Sequence, residues 1–257
     1  MYVTVQGLVL RVTAYNDTDA ILTLLTKEQG KLSVKARGLR RRNSPLTAPC
    51  QLLAYGEFVL FEYKGMYSIN EAQSVELFRE LRKDILKLSL GTYFVQVTDI
   101  ISQEDQPNPQ LLSLVLNSLY ALAKLDLPAH QVKAVFELRS ICLAGYTPDL
   151  SCCYRCGALL PDRFNISEGR LECAACRDVN SESIRLPISL GVLEGMRHCC
   201  YCDPKKLFAF SSSKETLLNM AQISESYLLT QLERGFSTLD FYKSLVLHDS
   251  ISGEQNV

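Results

Sequence analysis

Hydrophobic and polar positions alternate with a strand-like period over roughly the first eighty residues of the chain. Runs rich in Val, Leu, Ile, Thr and aromatic residues are separated by short segments that contain glycine, such as Lys27–Lys31 and Lys64–Gly65. Runs of this kind form strands, and glycine supplies the positive φ that tight turns require. The pattern predicts five strands, at Tyr2–Val12, Ala20–Thr26, Leu32–Ala36, Gln51–Tyr63 and Met66–Val75.

Five short strands with no helix among them favour a small closed barrel. The OB-fold is the five-stranded form of that architecture. We therefore predict an N-terminal OB-fold β-barrel over residues 1–80, with a polar loop at 37–49 between its third and fourth strands.

From about Leu77 onward the apolar residues recur at helical spacing instead. The spacing predicts an all-α helical domain in two parts, residues 81–150 and 184–257, separated by a cysteine-rich module at 151–183. Ser212 and Glu215 have the spacing of a capping box, with Ser212 as the N-cap, and the residues from about His248 to the end predict a frayed tail. The predicted helices are Asp84–Ile101, Leu111–Leu125, Val132–Leu143, Pro187–Cys202 and Lys214–Leu232.

Two C-x₂-C pairs, Cys153–Cys156 and Cys173–Cys176, are separated by sixteen residues. Pairs at this separation can converge on one ion as a tetrahedral thiolate set, the pattern of a structural zinc site. Gly157 supplies the positive φ of a tight knuckle after the first pair. Ser167–Glu172 reads as a turn that leads into a short strand, so the sequence predicts a zinc ribbon inserted between helices.

Four thiolates close the coordination sphere, so the predicted zinc ion stabilises the fold and has no open position for a substrate. The competing interpretations are four reduced thiols in a core, or a redox couple. Cys152 precedes Cys153, so a Cys152-x₃-Cys156 arrangement is also open. A second cluster, Cys199, Cys200 and Cys202, could hold a second metal ion. At helical spacing, however, Cys199 and Cys202 fall on one face with Leu193 and Met196, so they are predicted to pack as small buried side chains.

The composition is that of a globular protein, with 47% hydrophobic and 21% charged residues over 257 positions. Ten cysteines in a chain whose first residues lack the features of a secretory signal indicate thiols kept reduced, partly on a metal. No apolar run reaches the roughly 18 residues that span a bilayer. These features predict a cytoplasmic protein with no membrane and no small-molecule substrate.

A local excess of positive charge stands out against the overall net charge of −1. Within the sixteen positions from Lys27 to Arg42, seven basic residues are opposed by one acidic residue, Glu28. Arginine suits phosphate because its planar guanidinium can donate two hydrogen bonds, and an OB-type barrel can present such a loop to a nucleic acid. The predicted DNA-binding residues are Lys27, Lys31, Lys35, Arg37, Arg40, Arg41 and Arg42.

Aromatic residues near this patch can stack on bases, although we expect most of them in the barrel core. They are Tyr15, Phe58, Phe61, Tyr63 and Tyr67. Asp17 and Asp19 place two carboxylates close together, which would suit a magnesium-dependent nuclease, but a polar turn between strands is the favoured interpretation. No arrangement of catalytic residues appears, so we expect a protein that is not an enzyme.

The order of these features resembles the bacterial recombination mediator family RecO over nearly the whole chain. Several short runs carry the resemblance: Gly7–Leu10, Asp17–Asp19 leading to Leu24–Thr26, Gly30–Lys31, Ala36–Arg41, Asn70–Ala72, Tyr93–Phe94, Cys153–Gly157 and the glycine turn before Cys173–Cys176. By position, the family's basic barrel loop corresponds to Lys35, Arg37, Arg40, Arg41 and Arg42, and its metal ligands correspond to Cys153, Cys156, Cys173 and Cys176.

The resemblance implies a non-catalytic DNA-repair protein, associated with the nucleoid, that binds single- and double-stranded DNA and anneals complementary strands. It also implies action with RecR, which helps load RecA onto strands coated by single-strand-binding protein. Two other classes stay open from the residues alone: a zinc-ribbon scaffold whose partner is a protein, and a nuclease that uses Asp17 and Asp19. Nothing in the family's pattern assigns a role to Cys199, Cys200 and Cys202.

Overall fold

The computed structural model of the chain describes residues 1–176 and 182–254. The first five strands close into the predicted barrel, in the order β1-β2-β3-β5-β4. Within the barrel, neighbouring strands are antiparallel except β3 and β5, which pair in parallel at Val34–Tyr67 and Lys35–Ser68. The strands are β1 (Tyr2–Ala14), β2 (Ala20–Thr26), β3 (Gly30–Ala36), β4 (Tyr55–Tyr63) and β5 (Met66–Glu76). The five-stranded OB-fold barrel is confirmed.

Alternate residues of each strand point into the barrel because successive side chains of a strand face opposite sides. Along β3 the burial therefore alternates, with Leu32, Val34 and Ala36 buried and Ser33 exposed. The barrel core is apolar and includes Val5, Val9, Leu22, Leu24, Leu32, Val34, Phe58, Leu60 and Ile69. This inward set leaves the polar and basic residues of the same strands on the outer surface.

The fourth strand begins at Tyr55, so the predicted start at Gln51 was wrong. Residues 51–54 form turns instead, and Leu53 adopts a positive φ of 69°. The Leu53 N–H donates to the Val9 carbonyl and the Val9 N–H donates to the Ala54 carbonyl, at 3.1 and 2.9 Å. Val9 lies where the register of β1 with β2 shifts. Residues 51–54 therefore supply hydrogen-bond partners to backbone groups of β1 at this irregular point of the pairing.

The helices are α1 (Ile85–Ile101), α2 (Pro109–Lys124), α3 (Ala129–Leu143), α4 (Leu190–Tyr201), α5 (Lys214–Gln231) and α6 (Ser237–Glu254). Asp84 caps α1 and Asn108 caps α2, because the side-chain oxygen of each accepts hydrogen bonds from backbone N–H groups in the first turn of its helix. Ser213 caps α5 by accepting from the Thr216 N–H, so the predicted cap at Ser212 was off by one position. No helix within residues 1–176 and 182–254 is long and apolar enough to cross a membrane.

The sequence pattern did not predict α6, and the tail predicted from His248 was wrong as far as Glu254. Phe236, Leu239 and Tyr242 are buried at three-residue intervals, which is the helical signal that was missed. The Phe236 ring meets the Tyr93 ring of α1 edge-on at 5.6 Å between centroids. Contact with α1 therefore stabilises a helix whose own sequence carries little amphipathic pattern.

The chain divides into two compact units. The first contains residues 1–125 and 236–257, with the barrel, α1, α2 and α6. The second contains residues 126–235, with α3, α4, α5 and the cysteine module between α3 and α4. The predicted domain boundaries at 80, 150 and 183 stay a prediction, and residues 177–181 of the predicted ribbon lie outside the described residues.

The second unit is held partly by a buried ionic cluster between α3 and α5. The Lys133 ammonium lies 2.9 Å from the Glu137 carboxylate and 2.8 Å from the Glu225 carboxylate. The Ser224 hydroxyl donates to Glu137 at 2.6 Å. Each buried charge thus has a partner, which offsets the cost of removing it from water.

Candidate metal centre and nucleic-acid interface

The cysteine module is a small four-stranded sheet, ordered β6-β8-β7-β9. The strands are β6 (Asp149–Cys153), β7 (Arg163–Asn165), β8 (Arg170–Glu172) and β9 (Arg185–Pro187). Its interior carboxylate, Glu172, accepts from Asn165 and Arg185 at 2.7 Å each and is fully buried. The predicted turn into a short strand before Cys173 is confirmed by Gly169, with φ 64°, and β8.

Each cysteine pair lies in a tight knuckle at the end of one strand. Cys153 ends β6, and the Gly157 N–H donates back to the Cys153 carbonyl at 2.9 Å. Gly157 has the predicted positive φ, 71°. Cys173 follows β8, and the Cys176 N–H donates to the Cys173 carbonyl at 2.9 Å. The knuckles therefore direct both pairs of sulfurs to one place.

The structure brings together the four predicted cysteines, Cys153, Cys156, Cys173 and Cys176. Their sulfur atoms all lie within 4.8 Å of one another. The Cys156 and Cys173 sulfurs are 3.8 Å apart. Tetrahedral zinc with sulfur ligands at about 2.3 Å requires sulfurs about 3.8 Å apart, so the donor set fits a metal ion of this kind.

The pKa values of two of these thiols, Cys153 and Cys173, also fit a cation at this site. Burial opposes ionisation of the Cys153 thiol, yet backbone N–H groups of Cys156, Arg155 and Cys173 lower its pKa to about 6. Burial, together with hydrogen bonds from neighbouring sulfurs, raises the pKa of Cys173 to about 12. One ionised thiol therefore opposes ionisation of its neighbours. All four cysteines can be thiolates together only when a bound cation offsets their negative charges.

Cys152 lies outside this group of sulfurs, half-buried and 3.8 Å from the Ser151 hydroxyl. The regular C-x₂-C pairing with Cys153 is thus the one that the structure assembles. Cys199 and Cys200 are buried in α4, and burial raises the pKa of the Cys199 thiol. Cys202 is half-buried at the end of that helix, where its carbonyl accepts from Arg139 at 2.6 Å, so it does not share a fully buried face with Cys199 as predicted.

The basic loop follows β3, and its four arginines are exposed: Arg37, Arg40, Arg41 and Arg42. The turn between β1 and β2 fixes the loop on the barrel. The Arg40 N–H donates to the Thr18 carbonyl at 3.0 Å, and the Arg40 guanidinium donates to the Asn16 carbonyl at 2.6 Å. Arg41 and Arg42 are left to project into solvent beside it.

Asp19 is the anchor of this arrangement. Its carboxylate accepts from the Gly38 N–H at 2.9 Å and lies 3.3 Å from the Lys35 ammonium. The Gly38 N–H, together with Lys35, Asn16 and Thr18, lowers the pKa of Asp19 to about 2. These contacts give Asp19 a structural role at the polar turn, and Asp17 is exposed beside it.

Replacing Asp19 by asparagine is expected to release the loop from the barrel. Because the folded pKa lies below the ordinary value of 3.8, the Asp19 contribution is present above about pH 4 and is lost as the pH falls through about 2. At pH 7 we expect hydrogen exchange at the Gly38 amide to rise at least about tenfold in D19N, since a charge-assisted bond is lost. Asp17→Asn makes the same change of charge two positions away in the same turn. Equal exchange in the two variants would contradict the anchoring role.

The three predicted lysines differ in their surroundings. Lys27 is exposed at the β2–β3 turn. The Lys31 ammonium lies against α1, 2.8 Å from the Asp99 carbonyl and 3.4 Å from the Asp99 carboxylate. The Lys35 ammonium lies 4.5 Å from the centre of the Tyr15 ring, in addition to its contact with Asp19. The sequence did not predict that Asp99 binds Lys31, because no sequence pattern indicates which lysine of the barrel contacts α1.

The five aromatic residues near the patch separate into core and surface. Phe58 is fully buried, and Tyr67 packs half-buried against the barrel core. Tyr15, Phe61 and Tyr63 are exposed on the outside of the barrel. The expectation that most of them lie in the core was wrong, because Phe61 and Tyr63 occupy outward positions of β4.

Comparison with known proteins places both regions in one family. Residues 1–78 match the model described as "Recombination protein O N terminal", and residues 82–240 match "Recombination protein O C terminal". The chain belongs to the RecO family.

Curated members of the family align along nearly their full length. A protein named "DNA repair protein RecO" from Acetivibrio thermocellus is 34% identical over 246 residues, covering 95% of this chain and 97% of its own. Proteins of the same name from Alkaliphilus metalliredigens and Symbiobacterium thermophilum are 28% and 30% identical, and cover 95% and 94% of this chain and 100% and 96% of their own. The chain is thus a RecO-family DNA-repair protein, and both the barrel with its basic loop and the cysteine module lie inside the matched regions.

Proposed function

We propose that this protein is a non-catalytic recombination mediator that binds single- and double-stranded DNA and anneals complementary strands. It would act with RecR to help load RecA onto DNA coated by single-strand-binding protein, in the cytoplasm at the nucleoid. The family supports a role in DNA repair. The observation that carries the molecular proposal is the exposed arginine loop held on an OB-fold barrel by Asp19.

The mechanism is electrostatic. Arg37, Arg40, Arg41 and Arg42 would contact phosphates and release counterions, with Lys27 and Lys35 beside them. Lys31 is the predicted DNA contact with the least support, because Asp99 already accepts from its ammonium. Contacts to phosphate carry no sequence information, so binding would depend little on sequence. Two strands held on one cationic surface repel each other less, which would promote their pairing without any bond chemistry.

The cysteine module would hold one structural zinc ion through Cys153, Cys156, Cys173 and Cys176. Zinc supplies a fourfold cross-link between the two knuckles, and the closed sulfur set leaves no position for a substrate. The protein would contribute two turns with a glycine at positive φ, Gly157 and Gly169, and the Cys173 N–H that donates to the Cys153 sulfur. Its role would be to stabilise the small sheet between α3 and α4.

Annealing of two complementary 40-nucleotide strands, one of them labelled, tests the proposed function. Without ATP, the protein should accelerate pairing severalfold over the spontaneous rate, on bare strands and on strands coated by single-strand-binding protein. A protein-interaction scaffold would leave the rate unchanged. A nuclease would give cleavage products when Mg²⁺ is added, and either result would overturn the proposal.

A further inference from the structure

Three aromatic side chains stand exposed on the outer face of the barrel, where the ends of β1 and β4 pair. Tyr2 is 62%, Phe61 is 38% and Tyr63 is 58% exposed. The Tyr2 and Phe61 rings touch, with centroids 5.3 Å apart and planes inclined by 50°. We call Tyr2, Phe61 and Tyr63 the aromatic row. Rings of this size on a strand's outer face are costly to leave in water, and a cluster of them marks an interaction surface.

The strand register connects the aromatic row to the basic loop. Tyr2 pairs with Phe61, Phe61 pairs with Ser68, and Ser68 pairs with Lys35. These four positions therefore cross β1, β4, β5 and β3 in one line, which spans about 14 Å at the usual spacing of strands. Lys35 lies one residue before the end of β3, and the basic loop follows that strand, so the line of rings leads to the arginines.

Charge along this surface favours an anionic partner. Lys35 lies over the Tyr15 ring at one end, and the Lys64 ammonium lies 5.4 Å from the centre of the Tyr63 ring at the other. None of the four positions in the line is a carboxylate. Two carboxylates are near the line. Glu71 lies opposite Val59, two residues along β4 from Phe61, and Glu62 lies between Phe61 and Tyr63 in the sequence of β4. The rings are thus flanked by cations along the line, with carboxylates at its margin, although the Lys35 ammonium is also paired with Asp19.

We propose that the aromatic row stacks the unpaired bases of single-stranded DNA whose phosphates are held by Lys35 and the arginine loop. The proposal rests on the proposed function and adds a second kind of contact to it. Every base has a π-face, so stacking on exposed rings tolerates any sequence, as electrostatic binding does. The bases of a duplex face each other and cannot reach these rings. The row would therefore give the protein a preference for single strands that the arginines alone do not supply.

The test combines a variant of the protein with a variant of the strand. In Y2T/F61T/Y63T the rings are replaced by β-branched residues that suit strands. We expect affinity for a 20-nucleotide single strand to fall about tenfold per ring that stacks a base, while duplex affinity and the dependence of binding on salt stay unchanged. Tyr120→Ser with Phe241→Ser removes two exposed rings of the helices and should leave single-strand binding unchanged.

A strand of the same length without bases separates stacking from phosphate contact, using the unaltered protein. Wild-type protein should bind the strand without bases as weakly as Y2T/F61T/Y63T binds the normal strand. The variant should bind the strands with and without bases with equal affinity. If wild-type protein binds strands with and without bases equally, the row does not stack bases, even though the proposed function stands. Unchanged single-strand affinity in Y2T/F61T/Y63T would also show that the aromatic row does not stack bases. The row would then be a surface for a protein. If wild-type protein binds no DNA at all, the proposed function itself fails.

Discussion

Replacing Arg40, Arg41 and Arg42 together by alanine is expected to weaken binding of a 20-nucleotide single strand on the order of 100-fold at 0.1 M salt. Each phosphate contact on a single strand releases about 0.7 of a counterion, so three lost contacts multiply to roughly 100-fold at 0.1 M salt. Duplex binding should fall by a similar factor, because the contacts are made to phosphates that both forms of DNA possess.

The barrel should survive this change because the three side chains lie on the surface. Arg40 contributes one side-chain bond, to the Asn16 carbonyl, whereas its backbone bond to Thr18 and the bond between Gly38 and Asp19 remain. A matched control removes the same charge elsewhere, in the exposed lysines Lys205, Lys206 and Lys214 of the second unit. That control should bind DNA within about twofold of the wild type, since these lysines do not belong to the basic loop that is proposed to contact phosphates.

Replacing Cys153 by serine is expected to abolish metal binding, whereas Cys152→Ser should leave it intact. Wild-type protein should carry about one equivalent of zinc, and C153S close to none, because three sulfur ligands and a hydroxyl do not hold zinc in a structural site. Structural zinc contributes about 10–16 kcal/mol of apparent binding free energy in small domains, and this energy stabilises the fold. The second unit of C153S should therefore unfold at a markedly lower temperature.

The two neighbouring cysteines make this comparison sharp. Both variants lose one thiol and gain one hydroxyl, so a difference between them reports coordination and not the loss of a sulfur. Elemental analysis gives the metal and its amount, and thermal unfolding with and without a chelator gives its contribution to stability. Metal retained by C153S and lost by C152S would contradict the observed sulfur cluster, and protein free of metal in every preparation would refute the zinc site.

The sequence patterns that predicted the fold best were those with a local physical cause. The C-x₂-C spacing, with Gly157 and Gly169 at positive φ, leads to one geometry because each knuckle forms within a few residues. Alternation in β3 identified its buried face for the same reason, as each side chain's direction follows from its neighbours.

What the sequence could not predict depends on contacts between distant residues. α6 is held by Phe236 against Tyr93, more than a hundred residues away, and its own sequence has a weak helical pattern. The pairing of Lys31 with Asp99 and the position of Tyr2 beside Phe61 also arise only when the barrel closes. The sequence predicted the polar turn that contains Asp17 and Asp19, but not the anchoring role of Asp19, because its bond to Gly38 spans nineteen positions.

If the arginine loop neutralises DNA phosphates, the affinity for DNA must depend on salt through these arginines. The association constant of wild-type protein for a 20-nucleotide single strand is measured from 50 to 300 mM salt and plotted on logarithmic axes against salt concentration. With each phosphate contact adding about −0.7 to the slope for a single strand, we predict that R40A/R41A/R42A has a slope shallower by about 2 than wild type. Parallel lines for the two proteins would contradict the account.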